Sequence, residues 1–173
     1  AISDATAKYL AVFFAVPLLA WARYVLHLLF TLLVTVPRTG RKIIVTQRPG
    51  LMILRALMQV FSTVLVLLAY RTLPLAETTA LVFLTPVLVA LLSGPLLGEK
   101  VGVKGWLATL AGLSGALLIA RPGSTVFGVG VFYALGAAFC YAIYQLLTRK
   151  LSTTEPAIRQ LFYIALTGSI VMS

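Results

Sequence analysis

Long apolar runs alternate with short polar connections along the whole chain. A helix needs about 20 apolar residues to cross the hydrocarbon core of a bilayer, and several of these runs approach or reach that length. The pattern therefore predicts membrane-spanning helices over residues 18–36, 51–70, 78–97, 103–120 and 126–147. Residues 1–14 are predicted to be the tail of an earlier helix, and residues 156–173 the incomplete beginning of a later one.

Composition places these helices in a membrane rather than in a water-soluble core. Hydrophobic residues make up 61% of the 173 positions and charged residues only 10%. A soluble domain is nearer to half apolar and a quarter charged. The chain is therefore expected to be an all-α integral membrane protein, a multispanning helical bundle whose main partner is the lipid bilayer.

The net charge of +10 suggests a nucleic-acid partner only at first sight. The basic residues lie in the short loops between apolar runs, where they set the orientation of a membrane protein. One side has only Arg71 and Arg121. The other, predicted to be cytoplasmic, has Arg38, Arg41, Lys42, Arg48, Lys100, Lys104, Arg149 and Lys150. We expect no nucleic-acid partner and a multi-pass location in the cell inner (plasma) membrane.

Catalytic chemistry has little support in the sequence. The four acidic residues lie in four separate elements, and the chain has one histidine and one cysteine. No motif for a metal-dependent hydrolase, a nucleophilic serine or a phosphate-binding loop is present. We therefore expect no enzyme activity, no catalytic residues, no metal site and no cofactor.

Polar side chains at helical spacing inside three of the predicted spans are the candidates for function. Such residues are costly in lipid, so they tend to face a shared interior or a water-filled pathway. The three stripes predict a wet cavity lined with aromatic rings. The candidate substrate-pathway residues are Trp21, Arg23, Tyr24, His27, Arg55, Gln59, Thr63, Tyr141, Tyr144 and Gln145.

Several of these candidates have a competing structural interpretation. Arg55 lies near the end of its span, so its charge could equally extend to the membrane surface. For Arg23 that interpretation is the favoured one. His27 is deeper, which favours a cavity or an interhelical hydrogen bond over a lipid-facing position.

Three further residues are predicted to shape the ends of one helix or a kink within it. Glu77 is placed to cap the start of the 78–97 helix, where a negative charge complements the helix dipole. Glu99 with Lys100 is predicted to form an ion pair at the other end. Pro86 removes a backbone hydrogen bond in the middle of this helix and is expected to kink it.

Small residues spaced four apart predict close packing between helices. Ala108 and Gly112 form one such pair in the 103–120 span, and Ala134 and Ala138 form another in the 126–147 span. Packing of this kind would also serve a protein that works through helix contacts alone.

Residues 71–123 carry a family resemblance. Residues 73–99 contain, in order, the short motifs LPLAETTAL, LTP and LLGE. Residues 106–123 have the sequence WLATLAGLSGALLIARPG. In this order and spacing they resemble the EamA-domain family of the drug/metabolite transporter superfamily.

The resemblance implies a ten-helix transporter built from two inverted five-helix repeats, of which this chain is a fragment. Residues 1–123 would be the first repeat with a truncated first helix, and residues 124–173 the start of the second. The implied function is secondary transport of a small metabolite or amphiphilic solute by alternating access. The alternative is a non-transporting membrane scaffold or subunit, and a homodimer is left open.

Overall fold

The computed structural model describes residues 16–39, 46, 48–98, 102–120 and 128–173, and every regular element in these segments is a helix. In chain order the helices are α1 (Val16–Thr39), α2 (Pro49–Thr72), α3 (Leu75–Val82), α4 (Thr85–Leu97), α5 (Val103–Ala120), α6 (Val129–Ser152) and α7 (Ala157–Val171). The helix tail predicted over residues 1–14 lies outside the described residues.

Among the described residues, three apolar segments are long enough to span a membrane: Pro49–Thr72, Leu75–Leu97 and Val129–Ser152. Ala20–Leu33 and Ala157–Val171 are shorter apolar helices. Large apolar side chains lie exposed on the outside of the bundle, as contact with lipid requires. The predicted multispanning all-α fold is thereby confirmed.

The predicted 78–97 helix is divided by a turn into α3 and α4. Pro86 has no N–H to donate to the carbonyl of Val82, four residues earlier. The hydroxyl of Thr85 donates to that carbonyl instead, at 2.6 Å. The chain thus breaks beside the proline for which a kink was predicted, and a side chain replaces the missing backbone donor.

The helix predicted over residues 126–147 ends too early, and the structure corrects this boundary. Helix α6 continues to Ser152, so that only a short turn separates it from α7. The hydroxyl of Thr148 donates to the carbonyl of Tyr144 at 2.6 Å, and that of Ser152 donates to the carbonyl of Arg149 at 2.7 Å. Hydroxyls bonded to their own helix let it continue, so the polar run marks the end of the apolar segment and not the end of the helix.

Glu77 lies in the first turn of α3, where its charge complements the helix dipole. The N-cap residue of this helix is Pro74, which has no N–H that the carboxylate could cap. Glu77 thus lies in the first turn, where the predicted interaction with the helix dipole places it, and makes no capping-box bond to Pro74. Glu99 and Lys100, predicted to form an ion pair, lie outside the described residues.

The bundle core is formed mainly where α2 packs against α6. Ala134 and Ala138 are fully buried there, and the Ser62 hydroxyl donates to the carbonyl of Ala137 at 3.1 Å. Small residues let the two backbones approach closely. On α5, by contrast, a Cβ added at Gly112 would meet no atom within 4 Å, so the predicted pair with Ala108 makes no close approach within the described part.

A second close approach joins α7 to α1. Tyr24 is only 3% exposed and packs beside Val60 and Ile164. A Cβ built at Gly168 would lie 2.4 Å from two carbons of the Tyr24 ring. The absence of a side chain at this position is therefore what lets the tyrosine lie against α7.

We predict that Gly168→Ala destabilises the bundle, because the added methyl group displaces the Tyr24 ring. Overpacking of this kind costs about 1–3 kcal/mol. Thermal unfolding of the detergent-extracted protein measures it, and Gly112→Ala, with open space around the added carbon, is the control. Equal unfolding temperatures for the two variants would contradict the prediction.

We also predict that Pro86→Ala straightens the junction of α3 and α4, because the new N–H can donate to Val82. Spin labels at exposed positions 76 and 96, in a background where Cys140 is replaced by alanine, measure the distance between the two ends. That distance should increase.

Pro95, inside the same helix, provides the matched control. No break occurs at that position, so Pro95→Ala should leave the distance unchanged. If both proline variants give the wild-type distance, Pro86 does not cause the break.

Candidate functional site

Arg55 lies inside the bundle, where only 2% of it is exposed. Its Nε donates to the Thr148 hydroxyl at 2.7 Å, its Nη1 to the Gln160 carbonyl at 3.1 Å, and its Nη2 to the Tyr144 hydroxyl at 3.2 Å. One guanidinium thus joins α2 to both α6 and α7. Of the two interpretations of Arg55, extension to the membrane surface does not fit this burial.

Aromatic rings complete the surroundings of this guanidinium. Its central carbon lies 4.7 Å from the centre of the Tyr144 ring, within the range of a cation–π contact. Tyr144 in turn stacks on Tyr141, with ring centres 5.6 Å apart and planes inclined by 18°. Hydroxyls, a carbonyl and a ring face therefore stabilise the Arg55 charge.

A second hydrogen-bonded group connects α1 to α2. The Tyr24 hydroxyl donates to the Thr63 hydroxyl at 2.9 Å and lies 3.4 Å from the Gln59 carbonyl. Thr63 donates to that carbonyl at 3.0 Å, and the Gln59 side-chain Nε2 donates to Thr63 at 3.5 Å. Because a hydroxyl has one proton, Thr63 accepts from both Tyr24 and the Gln59 amide.

One hydrogen-bond acceptor of Gln59 has no partner in this arrangement. Its Oε1 atom is buried and has no hydrogen-bond partner among the described residues. Exchanging the positions of the amide oxygen and nitrogen would not help. The Thr63 hydroxyl already donates its proton to the Gln59 carbonyl, so it can only accept from the Gln59 side chain. The oxygen is therefore the unsatisfied group of this part of the bundle.

Two adjoining cavities lie beside these residues, with volumes of about 320 and about 260 Å³. The larger extends along α2 to Tyr70 and is also lined by Thr79 of α3. The smaller is bounded by Ile164 of α7. The residues common to both are Arg23, Gln59, Thr63 and Tyr141.

The lining mixes polar and apolar side chains, and none of its described residues carries a carboxylate. Arg23, which is exposed, brings a positive charge to both cavities. The remaining polar groups are hydroxyls, an amide and, in the smaller cavity, the His27 imidazole. These cavities therefore suit a neutral or negatively charged molecule better than a cation.

Most of the ten predicted pathway residues come together here. Those that line one or both cavities are Arg23, Tyr24, His27, Gln59, Thr63, Tyr141 and Tyr144. Arg55 touches the lining through Tyr144. Trp21 and Gln145 line neither cavity. Trp21 is 39% exposed, and Gln145 follows Tyr144 directly, so the helix turns its side chain away by about 100° to a separate recess.

Sequence reasoning missed the turn between α6 and α7 as part of this site. Glu155, 2% exposed, accepts hydrogen bonds from the Thr46 hydroxyl and the Arg159 guanidinium. Its backbone carbonyl accepts from the Gln160 side chain at 3.0 Å, and the carbonyl of Gln160 in turn accepts from Arg55. The spacing of Glu155 and Arg159, four residues apart, was the available signal.

A sequence profile of the EamA-like transporter family matches residues 1–121 of the chain. Among curated proteins, the chain is similar to the riboflavin transporter of Vibrio cholerae, with 32% identity over 170 residues, covering 96% of this chain and 57% of that protein. It is also similar to the S-adenosylmethionine uptake transporter of Rickettsia prowazekii, with 25% identity over 132 residues, covering 76% of this chain and 45% of that protein.

A human relative, solute carrier family 35 member G1, is 28% identical over 132 residues, covering 69% of this chain and 36% of that protein. The chain spans about half the length of the curated relatives it matches. No solved structure matches it at a significant level. The relatives are named as transporters where their names state an activity, which points away from an enzyme.

We predict that Arg55→Lys lowers the stability of the bundle, because one ammonium group cannot reach partners on both α6 and α7. Loss of hydrogen bonds to a charged group should cost about 1–3 kcal/mol. Thermal unfolding in detergent measures the change, with Arg48→Lys at the exposed start of α2 as the control. A wild-type unfolding temperature for Arg55→Lys would show that the three bonds do not hold the helices together.

Proposed function

Because the chain belongs to the EamA-like transporter family, we propose that it forms part of a secondary transporter that moves a small metabolite across a membrane by alternating access. The observation that carries the proposal is the pair of adjoining polar cavities around Gln59, inside a bundle whose outer surface is apolar. Polar groups are costly inside a membrane, and in transporters they mark the substrate site near the bilayer midplane.

The walls of the cavities differ in a way that suits alternating access. Thr79 and Val82 of α3 line the larger cavity, and Leu161 and Ile164 of α7 line the smaller. Movement of either short helix against α2 and α6 would open one cavity while leaving the other closed. The break between α3 and α4 would allow α3 to move relative to α4.

The names of the relatives suggest the first substrates to test. Riboflavin and S-adenosylmethionine are the metabolites named for similar proteins. Since this chain spans only part of each relative, the activity is proposed for the full-length protein. In that protein residues 1–123 would be the first inverted repeat and residues 124–173 the start of the second, in the inner membrane with the basic loops in the cytoplasm.

We expect the full-length protein, reconstituted in liposomes, to take up labelled riboflavin or S-adenosylmethionine in a saturable manner. Tyr144→Ala should lower that uptake about tenfold, because it removes a ring from the cavity wall. Phe132→Ala, on an exposed apolar side chain of the same helix, should leave uptake at the wild-type level.

Two results would contradict the proposal. One is the absence of saturable uptake together with the absence of thermal stabilisation by either metabolite, since a ligand that binds the folded state stabilises it. The other is an equal loss of uptake in both variants. The first result would favour the non-transporting scaffold.

A further inference from the structure

We propose that the Arg55 guanidinium is a releasable closure at one end of the bundle. This end, here called the basic end, carries the exposed residues Arg48, Arg149 and Lys150. With its bonds intact, Arg55 separates the cavities from the basic end, and with its bonds broken it lets them open there. The proposal rests on the proposed transport function and specifies which contacts must break in each cycle.

The cavities and the basic end lie on opposite sides of Arg55 and its partners. On α2 the cavity lining begins at Gln59, one helical turn beyond Arg55 and away from the basic end. On α6 it ends at Tyr144, one turn before Thr148. On α7 it begins at Leu161, directly after the carbonyl that accepts from Arg55. The guanidinium therefore crosses the bundle between the cavities and the basic end.

A recess of about 480 Å³ approaches Arg55 and its partners from the other direction. It extends along α6 from Tyr144 to Ser152, and its wall includes Thr148, which accepts from Arg55. Tyr144 borders both this recess and the smaller cavity, and its hydroxyl accepts from Arg55 as well. Release of the guanidinium would free the ring that lies between the two spaces. The recess is thus the part of a pathway that the closure keeps apart from the cavity.

The partners of Arg55 favour release over a permanent link. They are two hydroxyls, one carbonyl and the face of a ring, and no carboxylate among the described residues bonds to the guanidinium. The buried carboxylate of Glu155 lies near the same end but is bonded to Thr46 and Arg159. Breaking an ion pair inside a bundle leaves two uncompensated charges, whereas breaking these bonds leaves only one. A closure with neutral partners therefore opens at a lower free-energy cost.

The test measures the width of the basic end in the full-length protein in lipid nanodiscs. Spin labels are placed at exposed position 50, at the start of α2, and at exposed position 153, in the turn between α6 and α7, in a background where Cys140 is replaced by alanine. We expect one predominant distance in the wild-type protein. Thr148→Val removes the hydroxyl that accepts from Arg55, so it should raise the ratio of longer to wild-type distances about tenfold, as the loss of one hydrogen bond to a charged group allows.

Thr109→Val is the matched control for this variant. The Thr109 hydroxyl, like that of Thr148, donates to the carbonyl four residues earlier in its own helix. It lies on α5, which supplies no partner to Arg55, so the ratio should remain at the wild-type value. A second pair of labels, at exposed positions 76 and 129, measures the opposite end of the bundle, where Thr148→Val should have no effect.

A second variant removes the other hydroxyl partner. Tyr144→Phe loses the acceptor for Nη2 of Arg55 but keeps the ring, and it should open the basic end in the same direction as Thr148→Val. Tyr141→Phe is its control, because the Tyr141 hydroxyl makes no hydrogen bond to the described residues and the ring stacked on Tyr144 is retained.

A wild-type ratio in Thr148→Val or in Tyr144→Phe would overturn the assignment of Arg55 as a closure. Longer distances at both ends of the bundle would also overturn it, since Arg55 would then only stabilise the fold. Uptake is measured separately in liposomes. If the basic end opens as expected but neither riboflavin nor S-adenosylmethionine is transported, this inference stands and the proposed function fails.

Discussion

Burial of the Arg55 guanidinium is the constraint on which the arrangement of α2, α6 and α7 depends. A charged group inside a membrane protein must find partners within the bundle, because lipid supplies none. Its three donor atoms take two partners from α6 and one from α7. These directional hydrogen bonds therefore fix the register of the three helices more specifically than apolar packing does.

Hydrogen bonds and ring contacts connect Arg55 to two other parts of the bundle. Through Gln160 it reaches the turn that Glu155 anchors to Thr46 and Arg159. Through Tyr144 and its stacked partner it reaches the wall of the cavities. Rigid support behind a binding surface preserves its geometry, so a residue that touches no ligand can still determine what the cavity recognises.

Most of the residues that line the cavities could be predicted from the polar positions within the apolar segments of the sequence. Arg55, Gln59 and Thr63 recur at helical spacing within one apolar run, and the structure places all three in or beside one polar interior. Gln145 and Glu155 show where such a pattern fails. Gln145 lies next to Tyr144 in the sequence but lines neither cavity. Glu155 lies outside every predicted helix and yet is buried, because burial depends on which segments of the chain pack against it.

The amino-acid sequence by itself determined the membrane class, the approximate positions of the apolar segments and the polar stripes along them, because each depends on composition and local periodicity. Tertiary structure alone decided the pairing of Tyr24 with Thr63, the fit of Gly168 against the Tyr24 ring and the unsatisfied oxygen of Gln59. The first two are contacts between residues far apart in the chain, and the third depends on which groups lie around the amide. Helical periodicity specifies the face on which a residue lies but not the neighbour that this face will meet.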